Sequence, residues 1–266
     1  MRPLKVKDIV LEEGRPKIAV PITGRNHDEI IAEVEAALKT PCNILEWRAD
    51  YFLNEIDDLA EKVESTEAHL EMIRILDDID YVSGGMPLIF TIRGDRQGGK
   101  VSISREHAYD LASLAAQSRL VDFVDMELLD DDNSFNEEQV IEQIYEIQSF
   151  GVRVIISYHD YKGMPSVTEI NNLVRFMRSM GADICKIAGT VSNKAEAVNM
   201  IKASAYLTRG DQDPIIIIAM GEMGLMTRVA GGKYGSCISF AYGRTPTAPG
   251  QVDVKTLARL LDEYYA

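Results

Sequence analysis

Cysteine is scarce in this chain, and its spacing excludes two kinds of stabilised protein. The 266 residues include three cysteines, Cys42, Cys185 and Cys237, and no two of them form a C-x-x-C pair. An odd number of widely spaced cysteines argues against a disulfide framework and against a zinc site. The pattern fits a reducing compartment, so we expect a cytoplasmic protein.

Positive charge is also in short supply. The chain has 28 lysines and arginines against 42 aspartates and glutamates, which gives a formal net charge of -14. Nucleic acids and anionic membranes bind clustered positive charge, so we expect neither as a partner. A small anionic substrate is still compatible, because a pocket can hold a few arginines inside an acidic protein.

Long apolar runs are missing as well. The first 17 residues lack the apolar stretch of a signal peptide, and no run approaches the length that spans a membrane. No G-x-G-x-x-G follows the first predicted strand, which argues against a dinucleotide-binding open sheet. With 46% hydrophobic residues and no linker or low-complexity segment, we expect one domain over residues 1–266.

Eight short apolar runs rich in β-branched residues are present, separated by roughly 25 to 45 residues, a spacing typical of βα units. The predicted strands are Lys17–Thr23, Asn43–Arg48, Pro87–Arg93, Val121–Glu127, Arg153–Tyr158, Asp183–Ala188, Pro214–Met220 and Ser236–Ala241. Several of them are almost wholly apolar, as strands are when other structure covers both faces.

Amphipathic segments lie between these strands. The predicted helices are His27–Leu38, Arg105–Ala116, Glu137–Phe150, Val167–Met180, Lys194–Leu207 and Val254–Tyr265, with one long or broken helix over Asn54–Asp80. Eight such units in about 250 residues match the size of a (β/α)8 TIM barrel. The alternating segment Leu4–Leu11 predicts an N-terminal β-hairpin that closes the N-terminal end of the barrel.

Lys186 lies inside the apolar run Asp183–Ala188. On a strand it shares a face with Ile184 and Ala188, because side chains alternate. Burial disfavours an ammonium, and a neutral amine is a nucleophile toward carbonyls, so Schiff-base chemistry is one interpretation. The other is a lysine that reaches solvent from a strand end or pairs with a carboxylate.

Polar residues gather at the carboxyl ends of the predicted strands. Glu46, Arg48 and Asp50 alternate in the second strand region, which places them on one face; the alternative is an ion pair at a solvated strand end. Arg93 ends the third strand before the glycine-rich loop 94–99, which is weak evidence for phosphate binding without a following Lys-Ser/Thr. On the fourth strand, Asp125 and Glu127 share a face, either behind a site or on the surface.

His159 follows the apolar fifth strand and shares a face with Ser157. An isolated histidine at such a place is more often structural than catalytic. Lys186 on the next strand changes this balance, since the two side chains can lie within one side-chain length. Schiff-base reactions need proton transfer, and an imidazole is a suited carrier near pH 7.

Two further segments follow the seventh and eighth strands. Residues 220–228 lead from a strand end into a helical turn that carries Arg228, whose guanidinium can clamp a carboxylate. The proline-stiffened segment 245–251 is either an ordinary connection or a lid, with Thr247 and Gln251 as hydrogen-bonding residues.

These segments together resemble the type I 3-dehydroquinate dehydratases, the Schiff-base class of the shikimate pathway. The matching stretches are Glu46–Asp50, Phe90–Arg93, Ser157–Asp160, Cys185–Ala188, Met220–Arg228 and Ala248–Gln251, and the likeness runs from Lys5 nearly to the C-terminus. It implies a TIM barrel that converts 3-dehydroquinate to 3-dehydroshikimate and water in the cytoplasm, commonly as a homodimer, without a metal or a diffusible cofactor.

The resemblance also implies a role for each site residue. Lys186 corresponds to the imine-forming lysine and His159 to the general acid and base. The remaining correspondences are substrate-hydroxyl binding by Glu46, Arg48 and Arg93, carboxylate binding by Arg228 and Gln251, a serine position at Thr247, apolar walls at Met220 and Phe240, and supporting positions at Asp50 and Gln97.

One position departs from the family. The family has a glutamate that supports the catalytic histidine where this chain has Gln97. A glutamine orients an imidazole through its carbonyl oxygen but brings no charge, and we expect a cost on the order of 10- to 100-fold in rate. Two alternatives therefore accompany the dehydratase: a catalytically weakened paralogue that binds the same metabolite, and a Schiff-base aldolase on the same fold.

Overall fold

A computed structural model describes residues 1–128, 136–210 and 212–266 of the chain. Its centre is a parallel sheet of eight strands, in the order β10-β3-β4-β5-β6-β7-β8-β9. The strands are β3 (Lys17–Ile22), β4 (Ile44–Arg48), β5 (Leu88–Thr91), β6 (Phe123–Glu127), β7 (Arg153–Asp160), β8 (Ile184–Thr190), β9 (Ile215–Met220) and β10 (Ile238–Phe240).

The sheet curls into a barrel. A parallel bridge joins Ile215 of β9 to Ser236 just before β10, and the Cys237 N–H donates to the Ile215 carbonyl at 2.9 Å. All eight predicted strands are confirmed, with ends that differ by at most two residues. The predicted (β/α)8 barrel is therefore the fold of the chain.

Helices follow the strands and cover the outside of the barrel. They are α1 (His27–Ala37), α2 (Ala49–Leu53), α3 (Leu59–Lys62), α4 (Thr66–Ser83), α5 (Arg105–Ser118), α6 (Glu137–Ser149), α7 (Val167–Ser179), α8 (Lys194–Leu207), α9 (Leu225–Ala230) and α10 (Val254–Tyr265). Side chains cap many of their first turns; Ser166 and Glu169 form a reciprocal capping box at α7.

The segment predicted as one long or broken helix over 54–80 is broken. Asp58 adopts a left-handed backbone (φ 55°) before α3, and Ser65 caps α4 by accepting from the Ala68 N–H. Asp50 also differs from the prediction, because the strand ends at Arg48 and Asp50 lies in the first turn of α2. The chain thus turns into a helix before Asp50 can share the strand face of Glu46.

The N-terminal hairpin lies where the sequence predicts it. Strands β1 (Leu4–Val6) and β2 (Ile9–Leu11) pair antiparallel. Val6 and Leu11 pack into an apolar cluster with inward residues from the first half of the barrel strands, which include Ala19, Ile44, Ile89, Phe123, Ile155, Ile184, Ile216 and Ile238. The hairpin therefore closes the N-terminal end of the barrel with apolar side chains.

No helix in residues 1–128, 136–210 and 212–266 is both long and apolar enough to cross a membrane.

Candidate active site

The barrel interior changes character along its axis. Aliphatic side chains fill its N-terminal half, and the inward positions one or two steps further along β4 to β8 carry charged or polar groups. This follows from strand alternation, since residues two apart point to the same face. The polar half opens at the carboxyl ends of the strands, where TIM-barrel enzymes place their active sites.

A cavity of about 450 Å³ occupies this polar end. Its lining comprises Glu46, Arg48, Arg93, His159, Tyr161, Lys186, Ala188, Ile218, Met220, Arg228, Phe240, Thr247, Ala248 and Gln251. Ten of the predicted site residues are in this lining. Asp50 and Gln97, predicted as supporting residues, lie behind it.

Lys186 points its amine into the cavity. The residue is 4% exposed, and Nζ donates to Asp125 Oδ2 at 2.9 Å while Glu46 Oε1 lies 3.6 Å away. Nζ also lies 4.3 Å from the centroid of the Phe240 ring, within cation–π distance. Lys186 is thus both buried in a pocket and paired with a carboxylate, so it combines two features that the sequence left as alternatives.

Asp125 lies at the centre of a buried network. Its side chain is wholly buried, and Oδ1 accepts from Arg93 Nη2 at 2.8 Å and from Ser157 Oγ at 2.6 Å. Burial acts to raise the pKa of Asp125, but the charges of Arg93 and Lys186 outweigh it and hold that pKa well below its usual range. The interpretation of Asp125 as a surface carboxylate is wrong.

Arg93 donates three hydrogen bonds to side chains of β6 and β7. Besides Asp125 it donates from Nη1 to Glu127 Oε1 at 3.0 Å and to Ser157 Oγ at 2.8 Å. Burial acts to lower the pKa of Arg93, but the two carboxylates outweigh this and raise it. The guanidinium is therefore permanently charged and fixed in position.

Arg48 is held in the same way by one acid. Its Nε and Nη2 donate to the two oxygens of Asp50 at 2.7 and 2.8 Å, a bidentate pair that is buried on both sides. Asp50 also accepts from the Lys100 N–H at 3.1 Å, so it ties α2 to the loop after β5. Asp50 therefore positions Arg48 from behind the cavity wall.

His159 is half-buried, and Gln97 holds it from behind. Gln97 Oε1 accepts from the His159 backbone N–H at 2.8 Å and lies 3.3 Å from Nδ1. A carbonyl oxygen can only accept, so this contact places the ring proton on Nδ1 and leaves the Nε2 lone pair for the cavity. Burial lowers the pKa of His159 well below its ordinary value, and the charges of Arg93 and Lys186 lower it further, so the ring is neutral at pH 7.

Gln97 reaches this position through the glycine-rich loop. A 3-10 turn over Asp95–Gln97 ends at Gly98, whose φ is +84°. A Cβ at Gly98 would lie 2.2 Å from the Tyr161 ring, so glycine is required there. The loop therefore lies against His159 near the end of β7 and Tyr161 just beyond it.

Arg228 stands apart from the other cations. It is 2% exposed, and Nη1 donates to the Phe240 carbonyl at 3.1 Å. Within the described part of the chain, its Nε and Nη2 atoms have no hydrogen-bond partner. Burial alone lowers the pKa of Arg228 to about 10, so the residue is still charged at neutral pH and lacks a counter-charge.

Thr247 and Gln251 line the cavity mouth and bond to each other. Gln251 Oε1 accepts from the Thr247 N–H at 2.7 Å and lies 3.2 Å from Thr247 Oγ1. The Gly221 N–H donates to the Pro249 carbonyl at 3.1 Å, which ties this segment to the end of β9. The side-chain oxygen of Gln251 is therefore engaged within its own segment.

The sequence leaves four residues of the lining unassigned, Tyr161, Ala188, Ile218 and Ala248, and leaves the place of Asp125 open. Tyr161 lies one residue beyond β7, and nothing in its local pattern distinguishes it from a surface tyrosine. Alternation along β6 predicts that Asp125 and Glu127 share one face, but the contact of Asp125 with Lys186 depends on packing across the barrel. In the described residues, no group of three or more His, Cys, Asp and Glu side chains is arranged to hold a metal ion.

Comparisons with known proteins agree on one family. The family model for type I 3-dehydroquinase matches residues 18–266. A 3-dehydroquinate dehydratase of Clostridium kluyveri is 33% identical over 259 residues, which cover 97% of this chain and 96% of that protein. One of Listeria welshimeri is 32% identical over 263 residues and covers 98% of both chains.

Solved structures give the same result. The type I 3-dehydroquinate dehydratase of Clostridium difficile, solved with covalently modified comenic acid, has a TM-score of 0.86 at 32% identity and covers 99% of this chain and 98% of its own. The 3-dehydroquinate dehydratase of Geobacillus kaustophilus has a TM-score of 0.87 at 25% identity, covering 98% and 96%.

Proposed function

The chain belongs to the type I 3-dehydroquinase family, and we propose that it removes water from 3-dehydroquinate through an imine formed on Lys186. The product is 3-dehydroshikimate, and the reaction is a step of the shikimate pathway. The observation that carries the proposal is one cavity that holds a buried lysine amine, a neutral imidazole and an arginine to which the described residues offer no counter-charge.

Lys186 is the nucleophile. The ammonium first gives up one proton, and the nitrogen lone pair that this frees forms a C–N bond to the ketone carbon. The carbonyl oxygen leaves as water once it has gained that proton and a second one from the nitrogen. The resulting iminium withdraws electrons from the adjacent carbon. Phe240 and Met220 form apolar walls beside the amine, which excludes water from the imine.

His159 moves the protons. With Nδ1–H held by Gln97, the Nε2 lone pair accepts the proton from the carbon next to the imine. The electron pair left behind forms the C=C bond, and the hydroxyl on the next carbon departs as water after receiving a proton from the imidazolium. Hydrolysis of the imine then regenerates the Lys186 amine.

Arg228 binds the substrate carboxylate. Among the described residues, its Nε and Nη2 are buried donors without an acceptor, a geometry suited to a bidentate pair with an anion. Gln251 adds an amide donor from the segment over the cavity, and Thr247 orients Gln251. An aldolase substrate with a phosphate gains no support from this geometry, since one guanidinium and one amide match a carboxylate.

Glu46, Arg48 and Arg93 bind the hydroxyl groups on the opposite side. All three line the cavity, and the two arginines are fixed by buried carboxylates before any ligand binds. Prior fixation lowers the ordering cost of binding and places donors at defined points.

Four broader properties accompany this proposal. We propose that the chain works as a homodimer in the cytoplasm, as a single domain over residues 1–266 and without a metal or a diffusible cofactor. Light scattering during gel filtration tests the dimer: a mass near twice the 29.6 kDa chain supports it, and a mass equal to one chain contradicts it.

The test of the chemistry is reductive trapping. Borohydride added with 3-dehydroquinate should reduce the imine and leave a covalent adduct on Lys186, located by peptide mass spectrometry, while absorbance of the conjugated enone product reports turnover. Lys162→Met, which alters an exposed lysine in the loop after β7, is the matched control and should still be trapped. Turnover without an adduct, or an adduct at another residue, rejects the mechanism.

A further inference from the structure

The buried carboxylate of Asp125 has no role in the reaction steps proposed above. It lies in the middle of β6, and its side chain has no exposed surface. A buried charge costs several kcal/mol unless it is paired and hydrogen-bonded. Asp125 meets this condition through Arg93, Ser157 and Lys186, with its two oxygens divided among them.

The division of oxygens is specific. Oδ1 accepts from Arg93 and Ser157, both of which hold the carboxylate in place, and Oδ2 accepts from Lys186 Nζ at 2.9 Å. The parallel register sets Ser157 directly beside Lys186 on the neighbouring strand. The carboxylate is therefore anchored on one oxygen and presents the other to the reacting nitrogen.

Other charged groups line the cavity around this nitrogen. They are Glu46 and Arg48 of β4, Arg93 after β5, His159 of β7 and Arg228 of α9, and the Phe240 ring of β10 lies 4.3 Å from Nζ. Glu127 of β6 is outside this lining and pairs with Arg93. Glu46 is the nearest of the acids after Asp125, at 3.6 Å, and it accepts a hydrogen bond from Thr91 at 3.1 Å. Asp125 has the shorter and better anchored contact.

The charge on Lys186 does not disappear when an imine forms. An ammonium and a ketone give an iminium and water, so three N–H hydrogens become one while the positive charge stays on nitrogen. Two hydrogens and the ketone oxygen leave as the water molecule. A carboxylate that pairs with the ammonium is thus placed to pair with the iminium that replaces it.

Resting on the imine chemistry proposed above, we propose that Asp125 is the counter-ion of the iminium and keeps its nitrogen protonated during elimination. Only the protonated form is a strong electron sink, so loss of that proton stops removal of hydrogen from the adjacent carbon. An opposite charge within about 4 to 6 Å favours the charged form of such a group by about 1–3 pH units.

The test is the pH dependence of kcat in Asp125→Asn. The substitution keeps the shape and removes the charge, so the alkaline limb of the kcat profile should move to lower pH by about 1–3 units. Glu127→Gln is the matched control, because Glu127 also pairs with Arg93 but at the next inward position of β6. Its alkaline limb should stay where the wild-type limb is, whatever happens to KM.

A second measurement needs no substitution. Enzyme labelled with 15N at the lysine side chains should give an imine nitrogen whose chemical shift remains that of a protonated iminium throughout the pH range of turnover. A neutral imine in that range overturns the proposal, and so does a kcat for Asp125→Asn that falls equally at every pH. Failure of borohydride to label Lys186 in the wild-type enzyme would instead reject the imine itself.

Discussion

The two sides of the cavity solve the problem of buried charge in opposite ways. On the paired side, formed by Glu46, Arg48, Arg93, Asp125 and Lys186, each cation contacts a buried carboxylate. On the unpaired side, formed by Arg228, Thr247 and Gln251, the guanidinium donates to the Phe240 backbone carbonyl, and no carboxylate of the described residues pairs with it.

The pKa values express this difference. Carboxylates raise the pKa of Arg93 against the effect of burial, whereas burial alone lowers the pKa of Arg228 to about 10. An arginine paired with a buried acid is fixed in position, while an unpaired buried arginine destabilises the free protein and gains its partner from an anionic ligand. Binding energy is thus concentrated on the unpaired side and chemistry on the paired side.

The largest effect is expected at the paired side, from the loss of the nucleophile. Lys186→Arg keeps a cation against Asp125 but cannot form an imine, so kcat should fall on the order of 10⁶-fold while the melting temperature stays near that of the wild type. Lys186→Met should lose activity to the same extent and also lower the melting temperature. Residual turnover above 1% in either variant would contradict the role of Lys186.

Arg93→Met should lower the stability of the folded protein by disrupting the paired side. It leaves Asp125 and Glu127 with one cation fewer in a buried site, which costs about 3–5 kcal/mol of unfolding free energy. For a chain of this size, that corresponds to a fall of about 10 °C in melting temperature, measured by calorimetry. An unchanged melting temperature would mean that the network carries no net stabilisation.

Arg228→Met should have the opposite effect and raise the stability of the folded protein. Replacing an unpaired buried charge by an apolar side chain should raise the unfolding free energy of the ligand-free protein, by about 1 kcal/mol or more. The KM should rise about 10- to 100-fold, from the loss of charge-assisted hydrogen bonds to the substrate carboxylate. The comparison predicts that Arg93→Met lowers the unfolding free energy and that Arg228→Met raises it. A change of the same sign in both variants would contradict the difference between the two sides.

For the paired side, the sequence predicts which strand residues point inward. For the unpaired side, it predicts only that Arg228, Thr247 and Gln251 belong to the site. Alternation along β4 and β8 places Glu46 and Lys186 inward before any coordinates are known, because the period of a strand is two. The contact between Lys186 and Asp125 was out of reach, since it joins strands two apart in the barrel and depends on its radius and register. The same limit hid the missing acceptors of Arg228, because absence of a partner is a property of the whole packed site.

One error has a local cause. The alternation of Glu46, Arg48 and Asp50 predicts a single strand face for all three, but α2 begins at Ala49. The alternating charges do not reveal the turn that follows β4. The break in the segment 54–80 also has a local cause, since Ser65 caps α4 and Asp58 takes a left-handed conformation.

The smallest expected effect concerns Gln97, which holds His159 at the edge of the paired side without adding charge. Gln97→Glu places a carboxylate against Nδ1, which stabilises the imidazolium that forms during proton transfer, and kcat should rise about 10-fold. The carboxylate also raises the pKa of His159, so the acid limb of the kcat profile, where the base becomes protonated, should move to higher pH.

Gln97→Ala, which removes the acceptor altogether, is the matched control and should be slower than wild type at every pH. If Gln97→Glu is no faster than the wild type while its acid limb moves, then hydrogen bonding by the amide already orients the ring sufficiently. In that case a negative charge beside His159 does not limit the rate. The interpretation of the chain as a weakened paralogue then loses its only support.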